Sequence, residues 1–372
     1  MKQIYDIVNS VSSQAFGSTA LTVVDEQGLV ALGNTVLSSS TNTENFLNVL
    51  AQRIGKTIID DRKYDSMFKG LVKGKLEWGN IVQKIKFGLM TAEADESYGL
   101  TDGNSVDQYK VRKPIVKQSL FTSDTPWQIH VSIQDAHLAE AFTSAEAMGS
   151  FIQGILTAFQ NSIETAVENL GRTATCNLIA ELMGTSREIK LVTLYNTAKG
   201  LTDTNKLTAA TARYNEDFLR FAVAEINKIS NKFQSMTKGV FNDGSVETHT
   251  PKANQFMYVT TDFESLLETQ MQYAAFHDGY VKLDKFVEIP FWQSIKAPES
   301  INVKKASSGS AVNKTDIVGL LFDDNACGIY QVLNKTIASP VNAAGLYYNL
   351  YYHARDLYFN DLSFNSVVFT LA

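Results

Sequence analysis

The sequence predicts an α+β fold on three observations: one long run of apolar residues at helical spacing, several short β-branched and aromatic runs, and further helical stretches set between those runs. The long run opens at Thr143-Ser-Ala-Glu146, which has the form of a capping box. It continues with Ile152, Ile155, Phe159, Ile163, Ala166, Leu170, Ala174, Leu178 and Leu182 at steps of three and four, and stops at Gly184. Unbroken, such a helix is roughly 60 Å long at about 1.5 Å per residue, with Gly154 and Gly171 as the positions where it would kink or split. That length suits a spine better than a small compact core.

The remaining elements follow in chain order. The first forty-odd residues are short apolar patches cut by Ser, Thr, Asn and Gly, ending in Ser38-Ser39-Ser40-Thr41-Asn42-Thr43, and read as an extended arm. Phe46, Leu47, Val49 and Leu50 predict a short helix over 44–53, with Gly55 at its C-cap. From Asp60 to about Phe121 the pattern predicts a two-stranded excursion. One leg carries Leu76, Trp78, Ile81, Ile85 and Phe87, and the other Tyr109, Val111, Ile115 and Val116. Its tip, 91–108, is acidic and Gly-rich. A hairpin of this kind is marginal in water unless something covers it, and another subunit is the candidate cover.

Past the spine, 196–211 reads as an exposed loop and 216–235 as a helix with Phe218, Ala222, Ile226, Ile229 and Phe233 on one stripe. A strand at 256–260, a helix at 263–275 begun by Asp262, and a strand at 286–291 follow. Lys296 to Lys314 reads as a loop, and strands at 317–322 and 328–333 flank the turn Asp323-Asp-Asn325. Two aromatic strands, 346–357 and 364–371, close the chain.

Composition bounds the function. A chain of 372 residues predicts two or three structural units at roughly 150 residues per domain. With 44% hydrophobic and 19% charged residues it is globular, which excludes disorder of the whole chain. The 33 basic and 39 acidic residues leave a net charge of −6, which excludes the basic footprint of a dedicated nucleic-acid binder. Cys176 and Cys327 are too few for a disulfide scaffold and are expected as free thiols in a reducing compartment. Residues 1–9 hold no signal-peptide core, and no run approaches the ~20 apolar residues of a membrane span, so no membrane partner is expected. Asn313-Lys-Thr315 and Asn334-Lys-Thr336 are then chance glycosylation matches.

No motif supplies chemistry. Arg53-Ile-Gly-Lys-Thr57 ends like a phosphate-binding loop, but the first glycine of that motif falls on Leu50; Gly70-Leu-Val-Lys-Gly74-Lys75 is one residue short and runs into Leu76. The histidines His130, His137, His249, His277 and His353 form no HExxH and no zinc spacing with either cysteine. Gly184-Thr-Ser186-Arg-Glu188 lacks the second glycine of a nucleophile elbow. Asp60-Asp61 and Asp323-Asp324 read as turn formers or a solvated rim. No catalytic residue, cofactor or metal site is expected. Lys110, Arg112, Lys113 and Lys117 make a basic run beside the acidic Glu93, Asp95, Glu96, Asp102 and Asp107. This is either a solvated strand face or charge complementarity between copies of the chain.

Several strings, in this order and spacing, resemble one family. They are Tyr5-Asp-Ile-Val-Asn9; Arg53-Ile-Gly55; Lys73-Gly74-x-Leu76-x-x-Gly79-x-Ile81-Val82-x-x-Ile85; Ile133-Gln-Asp135-x-x-Leu138-x-x-Ala141-Phe142; and Gly345-Leu-Tyr347-x-Asn349-x-Tyr351-Tyr-His353. Almost end to end, the chain resembles the major capsid proteins of phi29-like short-tailed bacteriophages, which have the HK97 shell fold. The resemblance implies an N-terminal arm at 1–50, an E-loop with flanking strands at 51–130, a peripheral domain with the spine helix at 131–190 and 340–372, and an axial domain at 191–339. It implies self-assembly into hexamers and pentamers of an icosahedral or prolate head around double-stranded DNA. Assembly would take place in the host bacterial cytoplasm with a separate scaffolding protein and a portal protein at one vertex, and DNA would be touched weakly and non-specifically. The chain ends after the last shell strand, so the immunoglobulin-like C-terminal domain of phi29 is not expected. The match at Tyr5 leaves no expectation of a fused scaffolding segment, and no lysine–asparagine pair is singled out, so a non-covalent shell is expected. Leu76, Trp78, Ile81, Ile85, Phe87, Tyr109, Lys110, Arg112 and Lys113 are the expected interface residues of the E-loop. The alternatives are an encapsulin-type nanocompartment shell holding a cargo enzyme, and a soluble α+β ligand-binding protein.

Overall fold

The computed structural model describes residues 2–17, 20–60, 66–76, 79, 81–122, 124–270 and 285–372. Helices α1 (Lys2–Phe16), α2 (Glu26–Leu37) and α3 (Ser40–Asp60) open the chain. Strand β1 (Val72–Lys75) precedes the excursion, whose legs contain β2 (Val82–Phe87) and β3 (Val116–Phe121). Then come β4 (Asp124–Gln134), α4 (Asp135–Ala141) and the long α5 (Ala145–Leu182). They are followed by β5 (Glu188–Lys190), α6 (Leu191–Ala198), α7 (Ala209–Ala212), α8 (Glu216–Phe233), β6 (Gln255–Thr260) and α9 (Thr261–Gln270). Seven strands finish the chain: β7 (Lys285–Ile289), β8 (Ile301–Lys304), β9 (Ala311–Lys314), β10 (Ile317–Asp323), β11 (Cys327–Ala338), β12 (Tyr347–Asn360) and β13 (Ser366–Thr370). The mixture is α+β, as the periodicities predict.

The chain packs as two compact units. The first holds residues 1–80, 123–171 and 329–357, and the second 81–122, 172–328 and 358–372. The first unit is built on a four-stranded sheet in the order β1-β11-β12-β4. β4 and β12 pair antiparallel from Tyr347↔Gln134 to Leu357↔Asp124, and the Trp127 indole N–H donates to Asp356 at 2.7 Å. Strand β4 was not foreseen, although Trp127, Ile129, Val131 and Ile133 alternate with Gln128, His130 and Ser132 at the strand period.

The first fifty residues are not an extended arm. Val8 and Val11 of α1, Leu29, Leu32 and Val36 of α2, and Phe46, Leu47 and Leu50 of α3 are all buried in the first unit's core. The polar residues that suggest loops are the junctions between these helices. Asn9 bonds both the N–H and the C=O of Val23, at 2.6 and 2.8 Å, and Asp25 caps α2 through the Gly28 N–H. In the Ser/Thr run, the buried Thr43 hydroxyl donates to the Val36 carbonyl at 2.9 Å. α3 extends through Gly55, which therefore lies inside the helix and is no C-cap.

The spine is a single helix of 38 residues, roughly 57 Å long, and neither Gly154 nor Gly171 divides it. Ser144, not Thr143, is the residue that caps it, accepting from the Ala147 N–H at 3.1 Å. It ends where foreseen, with Gly184 at φ +76° and the Thr185 hydroxyl on the Leu182 carbonyl.

The second unit carries a five-stranded sheet in the order β5-β13-β10-β6-β7, with parallel outer pairs and antiparallel inner ones. β6 and β10 are buried along their whole length. The predicted stripe of α8 is buried, and Asn215 caps the helix through the Phe218 N–H. The turn at 323–325 forms, but its flanking strands diverge, β10 into the five-stranded sheet and β11 into the four-stranded one. The closing strands part in the same way, with β12 in one sheet and β13 in the other. The expected loop at 296–314 contains the hairpin β8–β9, its turn carrying Gly309 at φ +69°. The expected loop at 196–211 is tied down by Asn196, which bonds the N–H and C=O of Leu207. The far end of the helix expected at 263–275 lies outside the described residues, since α9 is described to Gln270.

Two glycines are required by close approach. A Cβ on Gly33 would lie 2.6 Å from Cβ of Phe142, and one on Gly171 would lie 2.5 Å from Cβ of Phe68, atoms too near the backbone to swing away. Gly154 has nothing within 4 Å of that position. We expect Gly33→Ala and Gly171→Ala each to destabilise the chain by about 1–3 kcal/mol, the cost of overpacking. Gly154→Ala should stabilise it by up to about 1 kcal/mol through helix propensity. Urea unfolding of the three variants checks the contrast.

Candidate functional site

β2 and β3 form an antiparallel ribbon in the register Val82↔Phe121 to Phe87↔Val116. Strand alternation sends successive side chains to opposite faces. On this ribbon the outward positions are Ile85 and Phe87 on β2 and Val116 and Leu120 on β3, all exposed. The inward positions include Lys84, Lys86 and Lys117, all half-buried. The usual arrangement is inverted, with the apolar face in water. Beyond Phe87 the Gly88 N–H bonds the Ile115 carbonyl, and the chain then runs without strand pairing through 89–115. Met90, Tyr98, Tyr109 and Val111 stand in solvent there, Tyr98 at 92% and Tyr109 at 81% exposure.

Among the described residues, 13 of the 25 exposed large apolar side chains fall between Ile81 and Leu120. Scattered exposed hydrophobes carry no message, but a concentration of this kind on one segment marks an interaction surface. An ordinary monomer would bury it.

The expected site residues divide. Ile85 and Phe87 share the outward face of β2, and Ile81 and Tyr109 are exposed on the legs of the same excursion. Leu76 is half-buried in the first unit, its N–H bonded to the Gln331 carbonyl, and is not a residue of the ribbon. Trp78 lies outside the described residues. Lys110 and Arg112 both pair with Glu93 across the excursion, while Lys113 is exposed. The Arg112 hydrogen bond is the main cause that holds the Glu93 carboxyl down at about 2. Part of the basic run is thus answered within its own chain. The residues that sequence reading missed are Leu89, Met90, Tyr98, Leu100, Val106 and Leu120; the available signal was the density of apolar residues in a segment too thin to bury them.

The inward lysines have a cost of their own. Burial lowers the Lys86 ammonium to about 8, against the opposing pull of Asp361, Asp323 and Asp243 and with a smaller push from Lys117. Nothing in or around the excursion is arranged as a metal site, since no cluster of three or more His, Cys, Asp or Glu is placed for one among the described residues.

Comparison with known proteins supplies the family. A family profile described as the phi29-like phage major capsid protein matches residues 5–370. The chain belongs to the phi29-like phage major capsid protein family. It is 22% identical over 367 residues to the major capsid protein of Bacillus phage GA-1, covering 98% of this chain and 69% of that one. It is 23% identical over 374 residues to that of Bacillus phage B103, covering 98% and 72%. In structure it is similar to the capsid of Staphylococcus phage Andhra, with a TM-score of 0.58 at 12% identity over 84% of this chain and 86% of that one. It is also similar to the capsid of Cyanophage P-SCSP1u, with a TM-score of 0.51 at 14% identity over 83% and 88%. The fold is therefore the HK97-type capsid fold, and the chain is a phage major capsid protein, a structural component of the virion that self-assembles into a shell.

The lowered Lys86 ammonium has a pH consequence whose sign follows from proton counting. Between pH 8 and 10.5 the unfolded chain holds more protons at this site than the folded one, so this group's contribution to stability rises with pH over that window. We expect wild type to gain stability relative to Lys86→Met between pH 8 and 10, as read by denaturant unfolding of both proteins at each pH. A constant difference would contradict the assignment.

Proposed function

We propose that this capsid protein forms the hexamers and pentamers of a phage head that encloses double-stranded DNA, and that the outward face of the excursion is covered in the shell by a neighbouring copy. What supports this reading is the inverted ribbon. A two-stranded ribbon with Ile85, Phe87, Val116 and Leu120 in water is poorly suited to an isolated monomer and well suited to an obligate interface, which commonly buries more than about 2,000 Å². Leu76, Trp78, Ile81, Tyr109, Lys110, Arg112 and Lys113 are proposed to complete the contact. The net charge of −6 supports a wall that touches DNA weakly, because tight phosphate contact needs a basic surface.

In this reading 1–50 is the arm, helical and packed; 51–130 the E-loop with its flanking strands; 131–190 with 340–372 the peripheral domain; and 191–339 the axial domain. A scaffolding protein guides assembly in the host bacterial cytoplasm, a portal protein occupies one vertex, and the shell is held without covalent crosslinks. The protein's role is wholly structural, with no catalytic step.

Co-expression with a scaffolding protein, followed by negative-stain electron microscopy, tests the reading. Closed shells of uniform diameter are expected, DNA-filled in the virion and not loaded with a cargo enzyme. On a denaturing gel the capsid protein in them should run as a single band near 41.1 kDa, beside any retained scaffolding protein and without a ladder of crosslinked forms. A chain that stays monomeric with the scaffold present would contradict it. Phe87→Ser with Tyr109→Ser should abolish shell closure and change the unfolding free energy of the free chain by less than about 0.5 kcal/mol, because both side chains are exposed there. Equal loss of stability and assembly would place these residues in the monomer's own packing.

A further inference from the structure

The excursion rests on its own subunit through its lysines. The Lys84 ammonium donates to the Asn325 carbonyl at 2.7 Å and lies 3.7 Å from the centre of the Phe359 ring. Lys86 donates to the Ser363 carbonyl at 2.9 Å and the Thr248 hydroxyl at 3.3 Å, and lies 3.1 Å from the centre of the Phe364 ring. Lys117, from the opposite strand, forms an ion pair with Asp243. Three carboxylates face this group: Asp243, Asp323 and Asp361.

The seat is strongly acidic, and Asp323 and Asp361 are buried in it while Asp243 lies at its exposed rim. Asp323 is 4% exposed and accepts from the Thr250 hydroxyl and the Asn325 N–H. Asp361 is 3% exposed; one oxygen accepts from Ser363, and the other, Oδ2, is buried without a hydrogen-bond partner among the described residues. The neighbouring acids are matched by other cations, Asp324 by Lys285 at 3.3 Å and Glu247 by Lys238 at 3.5 Å. The ribbon's own apolar contribution is small: Val82 is buried, and Phe121 lies 5.3 Å from Phe359, ring to ring. Among the described residues, no side chain of 81–121 belongs to the core around α8 in the second unit.

We propose that Lys84, Lys86 and Lys117 form a charge-driven latch that seats the excursion reversibly on its own subunit and so sets the presentation of its outer apolar face to a neighbouring copy. The proposal rests on the reading of that face as the intersubunit surface. Partial removal of the Lys86 ammonium from water opposes seating, and attraction of the three lysines to the aspartates and the ring faces favours it. Salt screens the attraction and leaves the desolvation cost, so seating weakens as ionic strength rises. A ribbon held by buried hydrophobes would respond in the opposite direction.

Hydrogen exchange of the full-length chain, kept below its assembly concentration, reads the latch through the amides of the seat at 243–250 and 359–366. In wild type, protection there should fall at least about fivefold between 0.05 and 0.5 M sodium chloride. In a Lys84→Gln, Lys86→Gln, Lys117→Gln variant it should be low at both concentrations, and Asp243→Asn should fall between the two. Unchanged protection at 255–260 and 317–323 certifies that each variant is folded. Wild-type exchange indifferent to salt, or a glutamine variant as protected as wild type, overturns the latch, whatever the Phe87→Ser, Tyr109→Ser variant does. A latch that behaves as expected while that serine variant still closes shells removes the interface reading and leaves the latch standing.

Discussion

The orientation of one two-stranded ribbon is the constraint on which the proposed assembly depends. Strand pairing forces Ile85 and Phe87 to one side and Lys84 and Lys86 to the other, and the ribbon turns its lysines inward. The inward face is matched by turns that the five-stranded sheet brings to one end. The Asp243 N–H bonds the Leu362 carbonyl at 2.9 Å, and the Asp361 N–H bonds the Ala326 carbonyl at 2.7 Å, so the three turns that supply the acids are stitched to one another. Among the described residues the outward face has no such partner, and we propose that in the shell its partner is another copy.

The rest of the second unit serves that arrangement. β6 and β10 are buried from end to end, and α8 covers them with a stripe of Phe218, Ala222, Ile226, Ile229 and Phe233. A sheet with this much apolar burial, at about 25 cal/mol per Å² removed from water, tolerates a seat lined with carboxylates at its margin. In the first unit, close packing at glycines does comparable work. Phe68 lies on Gly171 of the spine helix and Phe142 on Gly33 of α2, each where any larger side chain would collide.

Much of this was legible in the sequence. The spine helix, the α8 stripe, the central strands and the ribbon itself follow from periodicity, because each buries one face and must space its apolar residues accordingly. The N-terminal helices were not legible for a definite reason. Their Ser, Thr and Asn residues are caps and inter-helix ties, such as Thr43 to Val36 and Asn9 to Val23, and in sequence those cannot be told from loop formers. Strand partners were equally hidden, since 317–322 and 328–333 look like a hairpin and go to different sheets. At the site, Phe87 and Tyr109 were visible as apolar residues with nowhere to go. The role of the lysines was invisible, because alternation of Lys with apolar residues is identical whichever face is buried.

The most direct test is hydroxyl-radical footprinting of Phe87, Met90, Tyr98 and Tyr109 in the free chain and in closed shells. All four stand in solvent in the single chain. If a neighbouring copy covers the ribbon, oxidation of Phe87 and Tyr109 should drop sharply on shell closure while the turn at 305–310 reacts alike in both states. Equal oxidation of Phe87 and Tyr109 before and after closure would show that the apolar face remains in water and that the shell is held by other surfaces.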